Sequence, residues 1–257
     1  MNTYVYGITA ASHPAPPKGI AGVGDPARPV RTLTEGELTA VVSDAPESLR
    51  PKRKDLLAHQ NVLAEVGTAG CVLPMRFGSV APDDGTVTDV LAQRADHYQE
   101  RLRALSGTVE YNVKALPVEE AVLRRVISRN PEIRDLAEAN RQAGGGSYEQ
   151  KVQLGEMIVS AVQAQQTEDV ATATRALEPE AVAVSAGPES TDCLVNRSFL
   201  VGRNTAQAFL AAVEDVRKAL PHLELRVTGP LPPYSFVEPG PSEPMDRAPD
   251  SAYPGAR

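Results

Sequence analysis

The sequence predicts an α/β (α+β) fold in two domains. The first is an N-terminal mixed α/β sheet domain over residues 1–117. The second, over 118–237, joins a helical arm to a ferredoxin-like sheet. Three patterns carry this reading. In the first half, runs that alternate apolar and polar residues are interleaved with runs of helical spacing. Pro117 closes one alternating run, and the pattern beyond it turns helical as far as Leu177. The last third orders strand, strand, helix, strand, which suits a split-βαβ or ferredoxin-like sheet.

Thr3 to Ile8 is a short strand with Val5 among aromatics. Residues 12–29 hold five prolines and the glycines Gly19, Gly22 and Gly24, so they form a loop. Val30–Leu33 and Leu38–Ser43 read as a hairpin across Glu35-Gly36-Glu37. A helix follows from Lys52 to Val66, because Leu56, His59, Leu63 and Val66 share a face; Gly67 and Gly70 end it. Cys71 to Val80 is apolar but broken by Pro74 and Gly78, which predicts an extended, partly buried segment rather than a regular strand. The spacing of Val87, Val90, Leu91, Tyr98, Leu102 and Leu105 predicts one helix over 86–105, with Thr86 and Asp89 as a capping box. Thr108 to Leu116 alternates Val109, Tyr111 and Val113 with Glu110, Asn112 and Lys114, so one face is buried and one is wet.

Beyond Pro117, helices are expected over 118–129 and from Asn130-Pro131, with Asn as cap and Pro at the first helical position. After the Gly-rich break at 141–146, Ser147 and Gln150 fit a capping box, and the helix behind them runs to Leu177. Strands follow at 181–185 and 192–201. Phe209, Val213, Val216 and Leu220 mark a helix over 205–220, and Leu223, Leu225 and Val227 alternate in a last strand. Residues 238–257 hold five prolines, are net acidic and contain few large apolar groups, so a disordered tail is expected there.

Composition narrows the function. At 42% hydrophobic the chain can bury a core, and its net charge of −7 argues against general nucleic-acid binding, which needs a basic face. No apolar run is long enough to span a membrane, and the start lacks a signal-peptide pattern, so a cytoplasmic location is expected. Cys71 and Cys193 form no CxxC pair and read as reduced thiols. His13, His59, His97 and His222 are scattered without metal-ligand spacing, so neither a metal nor a cofactor is expected. Gly78-Ser79-Val80 is no nucleophile elbow, and Gly19-Ile-Ala-Gly22-Val-Gly24 lacks the Lys-Ser/Thr of a phosphate loop. The run Arg50-Pro-Lys52-Arg53-Lys54 opens a helix against its dipole, and reads as either a solvated helix start or a patch for an acidic partner.

Two segments break local economy. Leu73-Pro-Met-Arg-Phe-Gly78 sets Arg76 among apolar residues, and Gly229-Pro-Leu-Pro-Pro-Tyr-Ser-Phe-Val237 has a backbone stiffened by proline. Each reads either as a structural tie or as a preformed docking strip. On these strings the sequence resembles the gas vesicle accessory family GvpF/GvpL, with F-type favoured. Tyr4-Val-Tyr-Gly-Ile8, Leu38–Ser43, Asp55–Gln60, Glu110–Lys114 and Phe199–Val201 add to the match.

The resemblance implies a non-enzymatic accessory or minor structural protein of gas vesicles. It implies binding to the hydrophobic shell protein GvpA, and contact with other gas vesicle accessory proteins. Such binding would keep GvpA from aggregating during assembly. The expected partner contacts are Met75, Arg76, Phe77, Tyr234 and Phe236, with Arg76 or Lys52–Lys54 meeting acidic groups. Two other readings compete. One is an enzyme using His59 and Arg76 in an interdomain cleft; the other is a regulatory small-molecule-binding module on the ferredoxin-like sheet.

Overall fold

The computed structural model describes residues 1–188 and 192–238. The first sheet is built from β1 (Thr3–Ala10), β2 (Arg31–Glu35), β3 (Leu38–Asp44), β4 (Leu73–Pro74) and β5 (Val80–Ala81). Its order is β2-β3-β1-β4, with β5 also on β1, and every pairing is antiparallel. The β2–β3 hairpin forms where the sequence predicts it, and Gly36 takes the positive φ (53°) of its turn. Gly7 lies where β1 shifts register against β3. A Cβ there would come within 2.8 Å of the Leu73 carbonyl, so only glycine admits this crossing.

Helices cover both faces. α1 (Arg53–Ala69) sits over Tyr4, Tyr6 and Val41, with Val62, Leu63 and Val66 buried beneath it. On the other face, α2 (Asp84–Gln93) and α3 (Ala95–Ala104) bury Val87, Leu91, Tyr98 and Leu102 against Ile8, Ala40 and Val42. The single helix expected over 86–105 is therefore two. The break falls at Arg94, whose φ and ψ are −112° and 22°. It lets α2 lie against β2 and β3 while α3 reaches β1 and β4. No Gly or Pro marks it, because both halves keep one apolar stripe. The cap is also different: Asp83 accepts from the Thr86 amide at 2.7 Å.

The second sheet has the order β7-β8-β6-β9, from β6 (Thr108–Pro117), β7 (Ala183–Ala186), β8 (Val195–Gly202) and β9 (Leu223–Leu231). Between β6 and β7 run α4 (Glu119–Arg129), α5 (Pro131–Gln142) and α6 (Tyr148–Leu177); α7 (Ala206–Ala219) joins β8 to β9. The connectivity is βαββαβ with antiparallel neighbours, the ferredoxin-like arrangement. This corrects the boundary expected at Pro117. Strand 108–117 is central to the second sheet, so the first sheet's elements end before Gly107. Alternation in β6 predicts a wet face that the structure keeps at Lys114 but not at Glu110, which is buried beneath the segment after β9, and it does not show which strands lie beside β6. The helices bury one sheet face, where Phe209 packs on Tyr111 and Phe199 at centroid distances of 5.4 and 5.3 Å. The capping box of Ser147 and Gln150 forms as expected.

The two sheets share apolar material: Leu200 and Ala183 of the second join the cluster beneath α2 and α3, together with Phe236. From residue 239 onward, the tail expected over 238–257 lies outside the described residues.

Candidate functional site

The residues expected to contact a partner separate into two groups. The segment after β9 is a strap on the molecule's own core. Phe236 is 7% exposed within the cluster beneath α2 and α3, and Tyr234 packs beside Tyr4, Tyr6 and Leu63. The Arg101 guanidinium donates to the carbonyls of Phe236 (2.8 Å) and Val237 (3.1 Å). Buried Glu110 accepts from the Ser235 amide and hydroxyl, both at 2.8 Å. Gly229, at φ 153°, passes so close to Tyr111 that a Cβ would meet its ring at 2.5 Å. Burial, then the Glu110 carboxylate, push the Tyr234 phenol up to about 12. In this fold Phe236 is a core residue rather than part of a presented strip. Its partners Arg101 and Glu110 are more than a hundred positions away in sequence, so the strap's own residues could not announce this.

The segment Leu73–Ser79 is different. It leaves β4, loops out and rejoins β1 through two backbone bonds, Met75 N–H to Tyr6 O (2.8 Å) and Val5 N–H to Ser79 O (2.9 Å). Phe77 turns to the α1 face, edge-on to Tyr4 and His59 at centroid distances of 6.1 and 5.9 Å. Met75 turns to the opposite face and packs, half-buried, beside the α2–α3 cluster. Arg76 between them is exposed, and among the described residues its guanidinium has no hydrogen-bond or ion-pair partner. It is not the buried tie that its apolar neighbours imply.

Met75 lines a groove of about 210 Å³ between β5 and α2. Its walls are almost wholly apolar, with Val5, Ile8, Val80, Val90 and Tyr98 among them. Val80 and Val90 are 43% and 39% exposed at its mouth. Sequence reasoning missed this groove, because Val90 reads as part of its helix's buried stripe and Val80 as the end of a partly buried extended segment, whereas both are exposed.

His59 does not meet Arg76 in a cleft. It is 3% exposed and both ring nitrogens are occupied. Nε2–H donates to the Met75 carbonyl (3.1 Å), so Nδ1 accepts from the Tyr4 hydroxyl (2.9 Å). Burial lowers its pKa, which keeps the imidazole neutral. The Tyr4 hydroxyl also accepts from Gly78 N–H (3.2 Å), and burial raises its pKa. Asp55, one turn before His59, accepts from Gly24 N–H (2.9 Å), and the Tyr6 hydroxyl accepts from Val23 N–H (2.9 Å). This network pins the proline-rich loop to α1. Asp55 and His59 at i, i+4 on an apolar face were the available signal.

A second buried polar group also escaped notice. His222 Nε2 meets Asp169 at 2.7 Å, and Gln165 donates to the same carboxylate at 2.8 Å. The stripe 165, 169, 173, 177 along α6 was its trace. On the ferredoxin-like sheet, the Asn112 amide already bonds Asn196, Ser198 and the Arg197 carbonyl. Among the described residues, no His/Cys/Asp/Glu group is suited to hold a metal ion, and no helix is long and apolar enough to cross a membrane.

Fold and surface thus define a two-sheet α+β protein with a ferredoxin-like half and an apolar groove on the other half. Known proteins share this architecture. A crystal structure of GvpF from Anabaena sp. PCC7120 superposes with TM-score 0.72 at 26% identity, covering 92% of this chain and 98% of that one. For GvpF from Microcystis aeruginosa the values are 0.69 and 24%, covering 92% and 99%. The family model described as gas vesicle synthesis protein GvpL/GvpF matches residues 2–238, so the chain belongs to that family. It is 59% identical to gas vesicle protein F of Streptomyces sp. (strain CB03234) over 238 residues, covering 93% of this chain and all of that protein. Against gas vesicle protein L of the same strain it is 28% identical, covering 91% of this chain and 92% of the other, so it stands nearer the F protein.

Proposed function

We propose that the chain is a gas vesicle accessory protein that binds the hydrophobic shell protein GvpA and assists vesicle assembly, guarding it against aggregation during nucleation. It would act in the cytoplasm and at the gas vesicle. One observation carries the reading: a member of a gas vesicle synthesis family presents an apolar groove whose mouth, at Val80 and Val90, is exposed. A shell subunit exposes large apolar patches before assembly, and such patches aggregate unless covered. The groove offers cover for an apolar side chain or two, with Met75 as an adaptable wall and Arg76 as a cation on the adjoining loop. Tyr234 and Phe236 serve this role indirectly, by holding the sheet beneath the groove.

Coexpression with GvpA and affinity capture tests the reading. Wild type is expected to retain GvpA in the soluble fraction, and Val90→Asp to lose it while keeping a native circular dichroism spectrum. Absence of capture by wild type would refute GvpA as the partner. Undiminished capture by Val90→Asp would refute the groove.

A further inference from the structure

Three of the four cations that open α1 form no ion pair among the described residues. Arg50, Lys52, Arg53 and Lys54 are all exposed. The fourth, Lys54, pairs with Asp25 at 3.3 Å. Lys52 stands at the N-cap, where Ser, Thr, Asp or Asn would accept an amide hydrogen bond, and makes none. Cations at this end also oppose the helix dipole. One turn on, Leu56 and Leu57 are 37% and 47% exposed. The apex of α1 is therefore leucines framed by cations, on a chain whose net charge is −7.

The matching surface lies on the opposite face of the same sheet. α1 packs over Tyr4 and Tyr6, whereas the groove lies on the α2–α3 side with Val5 and Ile8. Asp83 accepts from Thr86 of the groove lining and Asp89 precedes Val90 at its mouth, and both carboxylates are exposed. Hydrogen bonds from Thr86 to Asp83 hold that carboxyl below the usual range, so it stays ionised. Arg76, on the loop that supplies Met75, offsets one of these charges. One face thus offers leucines with cations, and the other an apolar groove with carboxylates.

We propose that the chain associates with a second copy of itself, head to tail, the α1 apex of one copy entering the β5–α2 groove of the next. Because the two surfaces differ and lie on opposite faces, the contact is heterologous. It leaves a free apex at one end and a free groove at the other, so it propagates into open chains rather than stopping at a dimer. The attraction of exposed charges makes it sensitive to salt. Since it uses the groove, a second copy and a shell subunit compete for it.

The test uses this chain alone, so its outcome is independent of the GvpA reading. Sedimentation velocity of the full chain, over a range of concentrations and at low and high salt, is expected to show wild-type mass growing with concentration and shrinking with salt. The triple variant Arg50→Glu, Lys52→Glu, Arg53→Glu keeps its groove, and Val90→Asp keeps its apex. Each alone is expected to stay monomeric with a native circular dichroism spectrum, and the two mixed to form a one-to-one dimer that grows no further. A wild type that stays monomeric at every concentration would overturn the proposal. So would variants that associate as wild type does, or a mixture of folded variants that stays monomeric. Should Val90→Asp unfold, Val80→Asp, at the exposed mouth of the same groove, replaces it as the groove variant, with the same expected and overturning results.

Discussion

Leu73–Gly78 and Gly229–Val237 are written in nearly the same vocabulary of proline, aromatic and large apolar residues, and they meet opposite fates. The second is drawn into the interior and held by Arg101 and Glu110, with Phe236 sealed between the two sheets. The first stays at the edge of its sheet, one residue turned to each face and Arg76 left in solvent. What decides the difference is distant chemistry. A buried carboxylate and a guanidinium hold the backbone of one segment at its aromatic end, whereas the other is held by β1 and by His59 at the Met75 carbonyl, and nothing draws Arg76 inward.

The largest effect expected from breaking this contrast is on the strap. Phe236→Ala should cost about 3–5 kcal/mol, the usual range for emptying a buried phenylalanine site. Denaturant unfolding measures it, as a lower midpoint at unchanged slope. Glu110→Ala should cost less, about 1–3 kcal/mol, since it leaves the Ser235 amide unpartnered. The same melts check that order.

Protons sharpen the contrast from both ends of the pH scale. Tyr234 titrates at about 12 in the folded chain and at 10.0 when unfolded. The stability it contributes is therefore intact below pH 10 and lost as pH rises from 10 toward 12. Tyr234→Phe should flatten that alkaline loss. His59 behaves the other way, because burial lowers its pKa from 6.5. The unfolded chain takes up the proton first, so stability falls as pH drops below 6.5 and the His59 contribution levels off beneath the folded pKa. Thermal melts on either side of pH 6.5, wild type against His59→Gln, should show the steeper acid loss in wild type. The smallest effect on stability is expected from Val90→Asp, within about 1 kcal/mol, as for surface changes that leave no buried group unpaired.

Much of the fold was legible in the sequence because its signals are local. The β2–β3 hairpin, the capping box at Ser147 and the stripe of α7 each depend on neighbours a few residues apart. The place of β6 was not, since alternation predicts a wet face but not the strands beside it. The break at Arg94 left no mark because both flanking helices bury one continuous stripe. The same limit governs the site. Family strings drew attention to Met75 and Phe236 alike, yet only Glu110 and Arg101, remote in sequence, separate a groove wall from a core residue. The groove itself needed β5 and α2 to come together before Val80 and Val90 had a shared meaning.

The central claim is that the strap is architecture and the groove is the working surface. The most direct measurement pairs unfolding with GvpA capture for Phe236→Ala and Val90→Asp side by side. The proposed function predicts that Phe236→Ala unfolds early and that Val90→Asp melts like wild type but captures no GvpA. A folded Phe236→Ala of wild-type stability that fails to capture, beside a Val90→Asp that captures fully, would contradict it.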